Sequence, residues 1–465
     1  MVSLDEANLW LNDTSAGLPC NETDNRYFYS SLNMTARKLI IRLLLASVTL
    51  GLGWGSLSAQ SPAHSGWFKG NLHTHSLWSD GNDFPEMISK WYADRGYHFL
   101  VMTDHNILSR GQRWMPIKTV ETRGGKEVMN KYLAAFADRV EVRETDGGAS
   151  EVRLQPLAEY RGQLEEPGRF LLMAGEEISD SVDGLPVHMN ATNLTELLQP
   201  VGGATVREAI ANNLRAAMEQ SRETGQEILV HLNHPNFGWA VTAEDLAFVT
   251  EERFFEVYNG HPGVNQLGDA QHPSIERMWD IANTLRLDRL KKPPLFGLAT
   301  DDSHHYHGAN SSQPGRGWVM VRADALTPGA ILKSINLGDF YASSGVVLGR
   351  IEFDKAKKQI HIEVTPEASE EYTIQFIGTL KDYDQTSSVR RDKNNNEVRT
   401  TRIYSPDIGK VLSTTTGRSA TYSLSGDELF VRAVVTSSAG HDNPSFKNQK
   451  KQAWTQPVGW EPMTD

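Results

Sequence analysis

Two imidazoles one residue apart, His73 and His75, follow a short apolar run and are themselves followed by Asp80. On a strand end, His-x-His points both rings at nearly one place, which is how a metal site begins. Other imidazoles and carboxylates stand where other apolar runs stop: Asp104 and His105, Glu176 and Glu177, His188, His231 and His234, and Asp301, Asp302 and His304. Imidazoles and carboxylates without a thiolate suit Zn²⁺, Mn²⁺ or Fe²⁺. Two such cations sharing a water lower its pKa, supply a bridging hydroxide and offset charge on the attacked centre, so hydrolysis is the natural reaction. That hydroxide would attack phosphorus in a phosphate ester, or the carbonyl carbon of a carbamate or carboxylic ester. Asp302 and His304 are the candidates for handling the proton. Arg316 is the candidate for clamping an anionic substrate, because a guanidinium matches phosphate bidentately.

Several neighbours carry a plainer reading beside the functional one. His231 shares a strand face with the site and is expected to touch either a ligand or a metal. Asp301 alternates away from Asp302 and reads as structural, and Asp104 orients His105 or caps the following turn. His261, His305 and His307 read as substrate or surface residues, the surface reading being favoured, and Asn259 as a holder of a ligand or water. Tyr341 and Ser344 line the pocket or close the barrel.

The elements that must position these groups are legible as apolar runs alternating with helical patterns. Asp83-Phe84-Pro85-Glu86 predicts a helix start, Phe99-Leu100-Val101-Met102 a buried strand, and Thr205 with Glu208 a capping box. That box opens a helix with Val206, Ile210, Leu214 and Met218 on one face. Residues 109–169 break the alternation and read as an insertion shaping the site, with a helix near 126–136. A parallel barrel brings all C-terminal strand ends to one face, so groups scattered from His73 to His304 would converge there.

The set His-x-His, Ser-Asp-Gly, Asp-His, Gly-x-Glu, His, His-Pro and Asp-x-His resembles the PHP (polymerase and histidinol phosphatase) superfamily of metal-dependent hydrolases. Within it, "GNLHTHSLWSDG", "AGEEIS", "HLNHPNF" and "FYASSG" resemble the secreted branch related to the carbaryl hydrolases, the CehA/McbA type. The resemblance implies an α/β fold, a distorted (β/α)7-type barrel over residues 65–349, with a two- or three-metal cluster. It implies His73, His75 and Asp302 as ligands of a first metal, Glu177 as the bridge, and His188 and His234 on a second. Asp80, His105 and His304 would hold a third. The function implied is phosphoester hydrolysis on small molecules, with carbamate or carboxylic ester hydrolysis as the alternative. A non-catalytic periplasmic metal- or glycan-binding protein is the reading from another class.

The 465 residues carry a formal charge of −12 and no long basic run, which argues against nucleic-acid or anionic-membrane partners. A small-molecule ester is the expected partner. From Met34 a basic start, an apolar core and small residues up to Ala59 describe a secretory signal peptide, so a periplasmic or secreted location follows. Residues 1–33 read as a doubtful extension, and the only cysteine, Cys20, falls within it. Residues 350–465 alternate apolar and polar, as in Ile360, Ile362 and Val364, and predict a small all-β sandwich, with 381–402 an exposed loop.

Overall fold

The computed structural model describes residues 66–308 and 311–460; the expected extension, the signal peptide and Cys20 lie outside the described residues. No helix among the described residues is long and apolar enough to cross a membrane. Seven strands lie side by side in chain order: β1 (Gly66–Asn71), β2 (Phe99–Met102), β3 (Leu171–Val182), β4 (Leu185–Thr192), β5 (Leu229–Leu232), β6 (Phe254–Asn259) and β7 (Phe296–Thr300). All neighbours pair in parallel except β4, which runs antiparallel to β3 and β5. Its direction is set by the hairpin turn at Asp183-Gly184, where both residues have positive φ (51° and 78°). That is the backbone an Asp-Gly type I′ turn requires.

The expected closed barrel is not what the strand pairing shows. The edge of β1 away from β2 is taken by β8 (Trp318–Ala323), which pairs antiparallel with it. β7 therefore has no ladder with β1. The two meet at and beyond their ends, where Asn71 donates to Asp301 at 2.8 Å, Asp302 N donates to His73 O at 3.1 Å and His75 N to Ser303 O at 2.9 Å. Those bonds join the first and last segments of the site.

The sheet continues through β9 (Phe340–Ser343) into C-terminal strands. In chain order these are β10 (Leu348–Asp354), β11 (Gln359–Val364), β12 (Tyr372–Leu380), β13 (Lys410–Thr416), β14 (Ser419–Ser423), β15 (Glu428–Gly440) and β16 (Lys450–Thr455). The order β9-β16-β15-β12-β13 extends the main sheet, and β10-β11-β14 form a second, three-stranded one. Alternate residues of both, among them Ile360, Ile362, Ile374, Phe376, Val431 and Val435, share one buried cluster. Tyr341 belongs to it, its ring edge-on to Trp67 and its hydroxyl accepting from Leu348 N at 2.9 Å, so it packs the C-terminal layer and does not line the site. The segment expected as an exposed loop over 381–402 is mostly exposed, and its end is tied to helix α3 (Ala243–Phe248): Thr401 Oγ1 accepts from Ala243 N at 2.9 Å, and Arg402 N donates to Glu244 at 3.1 Å. A helix start leaves backbone N–H groups without partners, and Thr401 supplies one.

Helix α1 (Pro85–Asp94) starts at its proline as predicted, but Phe84 occupies the N-cap position with no side-chain cap. Asp83 instead accepts from Phe84 N at 2.8 Å and faces His307 Nε2 at 2.9 Å. Helix α2 (Val206–Thr224) is capped by Thr205, whose hydroxyl accepts from Glu208 N, and it buries Val206, Ile210 and Leu214 while Met218 stays exposed. Residues 109–169 fold into helices Ile117–Gly124, Glu127–Phe136 and Leu157–Leu164 and a three-stranded antiparallel sheet. Met115, Val128, Tyr132 and Val152 of this insertion pack on Leu77, Trp78 and Phe84, and Arg123 donates to Ser79 O at 2.5 Å. The insertion therefore braces the turn that carries Asp80.

Candidate metal centre

Glu177, 1% exposed on β3, lies at the middle of the site. Its Oε2 stands 3.5 Å from His73 Nε2, 3.3 Å from His75 Nε2 and 2.8 Å from His105 Nδ1. Its Oε1 stands 3.0 Å from His188 Nδ1 and 3.4 Å from His234 Nε2. Asp302 Oδ1 lies 3.2 Å from both His73 Nε2 and His75 Nε2. Asp80, with its side chain half exposed, faces His75 at 3.6 Å and both His105 and His304 at 3.4 Å. All nine residues expected as ligands thus come together, although they lie on six different stretches of chain.

Two ligand atoms about 2.1 Å from one tetrahedral cation stand about 3.4 Å apart, which is the spacing of His73, His75 and His234 from Glu177 and of Asp80 from His105 and His304, whereas His105 and His188 approach Glu177 at hydrogen-bond distance. Among the described residues, three groups of potential ligand atoms each fall within 4.8 Å of one another: His75, Asp80, His105 and His304; His73, His75 and Glu177; His105, Glu177 and His188. His73 Nε2, both ring nitrogens of His75 and Glu177 Oε2 are buried without a hydrogen-bond partner. Leaving such atoms unpaired costs on the order of 1–3 kcal/mol each. A divalent cation held by His73 Nε2, His75 Nε2 and Glu177 Oε2 would satisfy those three atoms, so the residues fit the group that the sequence implies.

The electrostatics divide the imidazoles, for the facing carboxylates outweigh burial and hold His73, His105 and His304 above the usual imidazole range. Burial and the nearby rings of His304 and His105 push the His75 imidazole down to about 3, leaving it neutral as a ligand must be. Burial acts to raise Glu177, but the facing His105, His73 and His188 outweigh it and hold the carboxyl well below its usual range. Its neighbour Glu176 points the other way, accepts from Leu198 N at 2.7 Å, and is pushed up to about 8 by burial. The central carboxylate is Glu177.

Around these groups runs a layer of fixed partners. Glu256, fully buried in the middle of β6, was not among the expected residues. Its Oε1 lies 2.7 Å from His73 Nδ1 and accepts from Thr300 Oγ1 at 2.7 Å. Its Oε2 accepts from His234 N at 2.7 Å and Asn259 Nδ2 at 2.8 Å. Asn259 reaches Asp302 at 3.0 Å, and Asn233 donates to Glu177 at 2.8 Å. His231 lies 3.5 Å from Glu256, in this outer layer. Asp104 caps the turn before it in sequence, accepting from Ser76 and Ser79, and Asp301 accepts from the backbone of Gly315, Arg316 and Gly317. An ionisable residue inside an otherwise apolar strand was the signal for Glu256, since such a group must be paired.

Arg316 requires a correction. It is 5% exposed, donates from Nη1 to Gly260 O at 2.8 Å, and reaches Asn443 O and Oδ1 from Nε at 3.2 and 3.3 Å. A buried guanidinium must find acceptors, and here the fold supplies protein carbonyls where a substrate clamp would leave them vacant. Arg316 anchors the loop after β6.

No protein-family model and no curated protein matches this chain. Among solved structures, it is similar to a two-domain protein from Bacteroides vulgatus said to contain a predicted PHP-like metal-dependent phosphoesterase. That match has 16% identity and a TM-score of 0.36 and covers 85% of this chain and 96% of the other. A protein from Bifidobacterium adolescentis, provisionally described as a metal-dependent phosphoesterase, matches with 14% identity and a TM-score of 0.26, over 53% of this chain and 92% of the other.

Proposed function

We propose that the chain is a metal-dependent hydrolase of the PHP type, acting on phosphate esters of small molecules. The observation that carries this reading is one buried carboxylate, Glu177, set between five imidazoles, with its own Oε2 and the Nε2 atoms of His73 and His75 buried without a hydrogen-bond partner. His73, His75 and Asp302 would hold one cation, His188 and His234 a second, and Asp80, His105 and His304 a third, with Glu177 between them. Divalent cations bound there supply a hydroxide near neutral pH and compensate charge on the substrate. The chain's own part is to fix the ligands: Glu256 orients His73, Asn259 orients Asp302, and Asn233 orients Glu177. Asp302 and His304 flank the floor of the site, where a proton is handled. The finer readings belong to the same proposal: the branch related to carbaryl hydrolases, a signal peptide over residues 34–59 with export, and a C-terminal sandwich framing the site.

The test is metal content by plasma mass spectrometry, with hydrolysis of a nitrophenyl phosphate, a nitrophenyl phosphodiester and a naphthyl carbamate. Two or three metals per chain and phosphate-ester turnover that disappears in the His73→Ala/His75→Ala variant are expected. A folded double mutant with full activity, or turnover of the carbamate alone, contradicts the reading.

A further inference from the structure

The floor of the site and its mouth differ in chemistry. His73, His75 and Glu177 form a floor that is at most 1% exposed, whereas Phe237 and His261 are half-buried at the rim. The Phe237 ring stands 5.0 Å from that of His234 and 6.1 Å from that of His261, and the His261 ring lies 5.5 Å from His304. His261 is held from three sides. Its N–H donates to Asn259 Oδ1 at 2.7 Å, its carbonyl accepts from Val264 N at 3.0 Å, and Arg316 fixes the preceding Gly260 carbonyl. Gly260 has no room for a side chain, since a Cβ there would meet Asp301 O at 2.7 Å. The loop is therefore rigid at the point where it presents the ring.

The tautomer of that ring follows from geometry. Gly263 N donates to His261 Nδ1 at 3.0 Å, so Nδ1 is the acceptor and the proton of the neutral imidazole sits on Nε2. Nε2 has no hydrogen-bond partner among the described residues and stands at the rim. It is a fixed N–H donor beside a cluster of ligands.

Resting on the phosphoesterase reading, we propose that His261 is a catalytic residue whose Nε2–H donates to the leaving-group oxygen, and that Phe237 seats an aryl or apolar leaving group. In phosphoryl transfer the attacking and leaving oxygens lie roughly in line. A nucleophile generated on the floor therefore sends the leaving oxygen toward the mouth, where His261 stands. As the oxygen of the nucleophile bonds to phosphorus, the bond from phosphorus to the leaving oxygen breaks and its electron pair stays on that oxygen. His261 keeps its proton and stabilises this charge by a hydrogen bond. The leaving group departs as its anion and takes a proton from water.

The test uses the metal-loaded full chain with phenyl and nitrophenyl phosphate esters. Nitrophenoxide carries its own charge well and phenoxide poorly, so a donor at the leaving oxygen matters more for the phenyl ester. His261→Leu should lower kcat by about 100-fold on the phenyl ester and distinctly less on the nitrophenyl ester, with metal content unchanged. His261→Gln, which keeps an N–H near the same place, should recover most of the loss. Phe237→Ala should raise KM for the aryl esters and leave that for a methyl ester nearly unchanged. An equal loss on both leaving groups, or loss of metal along with activity, overturns the role of His261 while leaving the hydrolase reading intact. Metal-loaded wild-type chain that turns over no phosphate ester overturns both.

Discussion

Glu256→Gln separates a carboxylate that tunes a metal ligand from one that only fills a strand. Glu256 accepts from Thr300 at 2.7 Å, from His234 N at 2.7 Å and from Asn259 at 2.8 Å, and it faces His73 Nδ1 at 2.7 Å. A glutamine must place its NH2 toward one pair of these. Toward His234 N and Asn259 Nδ2 it meets two donors that cannot turn round. Toward Thr300 and His73 it meets groups that can, because a hydroxyl rotates and an imidazole changes tautomer. The second orientation is the cheaper one, and it forces His73 to accept at Nδ1 and carry its proton on Nε2. That is the nitrogen aimed at Glu177 and Asp302. The variant should fold, yet bind metal about 10- to 100-fold more weakly, a cost of about 1.4–2.7 kcal/mol. Titration against a chromophoric chelator reads the affinity, and thermal unfolding of the metal-free protein reads the fold. Unchanged affinity in a folded variant would refute the argument.

Two further outcomes follow from the buried carboxylates. Glu177→Gln should remove more than one metal per chain in plasma mass spectrometry, whereas Glu176→Gln should leave all of them; loss from Glu176→Gln would move the bridge. Glu86, 2% exposed, donates nothing, accepts from Tyr132 at 2.7 Å, and is pushed up by burial to about 7 from an ordinary 4.5. Its folded pKa is raised, so the folded state holds the proton more tightly, and stability falls as pH rises from about 4.5 to about 7. Glu86→Gln should remove that fall, raising stability at pH 8 by up to about 3 kcal/mol and changing little at pH 4. Urea unfolding at the two pH values checks it, and an equal effect at both would rule out the buried charge as its cause.

The ligands were legible because strand topology, rather than side-chain packing, brings them together. An apolar run that stops at a His, Asp or Glu places that residue at a strand end, and parallel strands carry their C-terminal ends to one side. The open ladder was not legible in the same way, since nothing in β1 itself announces that β8 and not β7 will take its second edge. Arg316 shows a different limit. The geometry that suits a guanidinium to phosphate suits it equally to the carbonyl of Gly260, and only the fold decides which acceptor it meets. His261, open in sequence to either a substrate or a surface reading, is fixed in place through Gly263 and Asn259. The group that tunes His73 lies 183 residues away in a strand of its own. Residues that bind after β1, β2, β5 and β7 are therefore written where strands end, whereas Glu177 and His188 lie inside β3 and β4, and residues that fix the binders are written across pairs of elements. Glu256 had only one local sign, a charge where burial permits none without a partner.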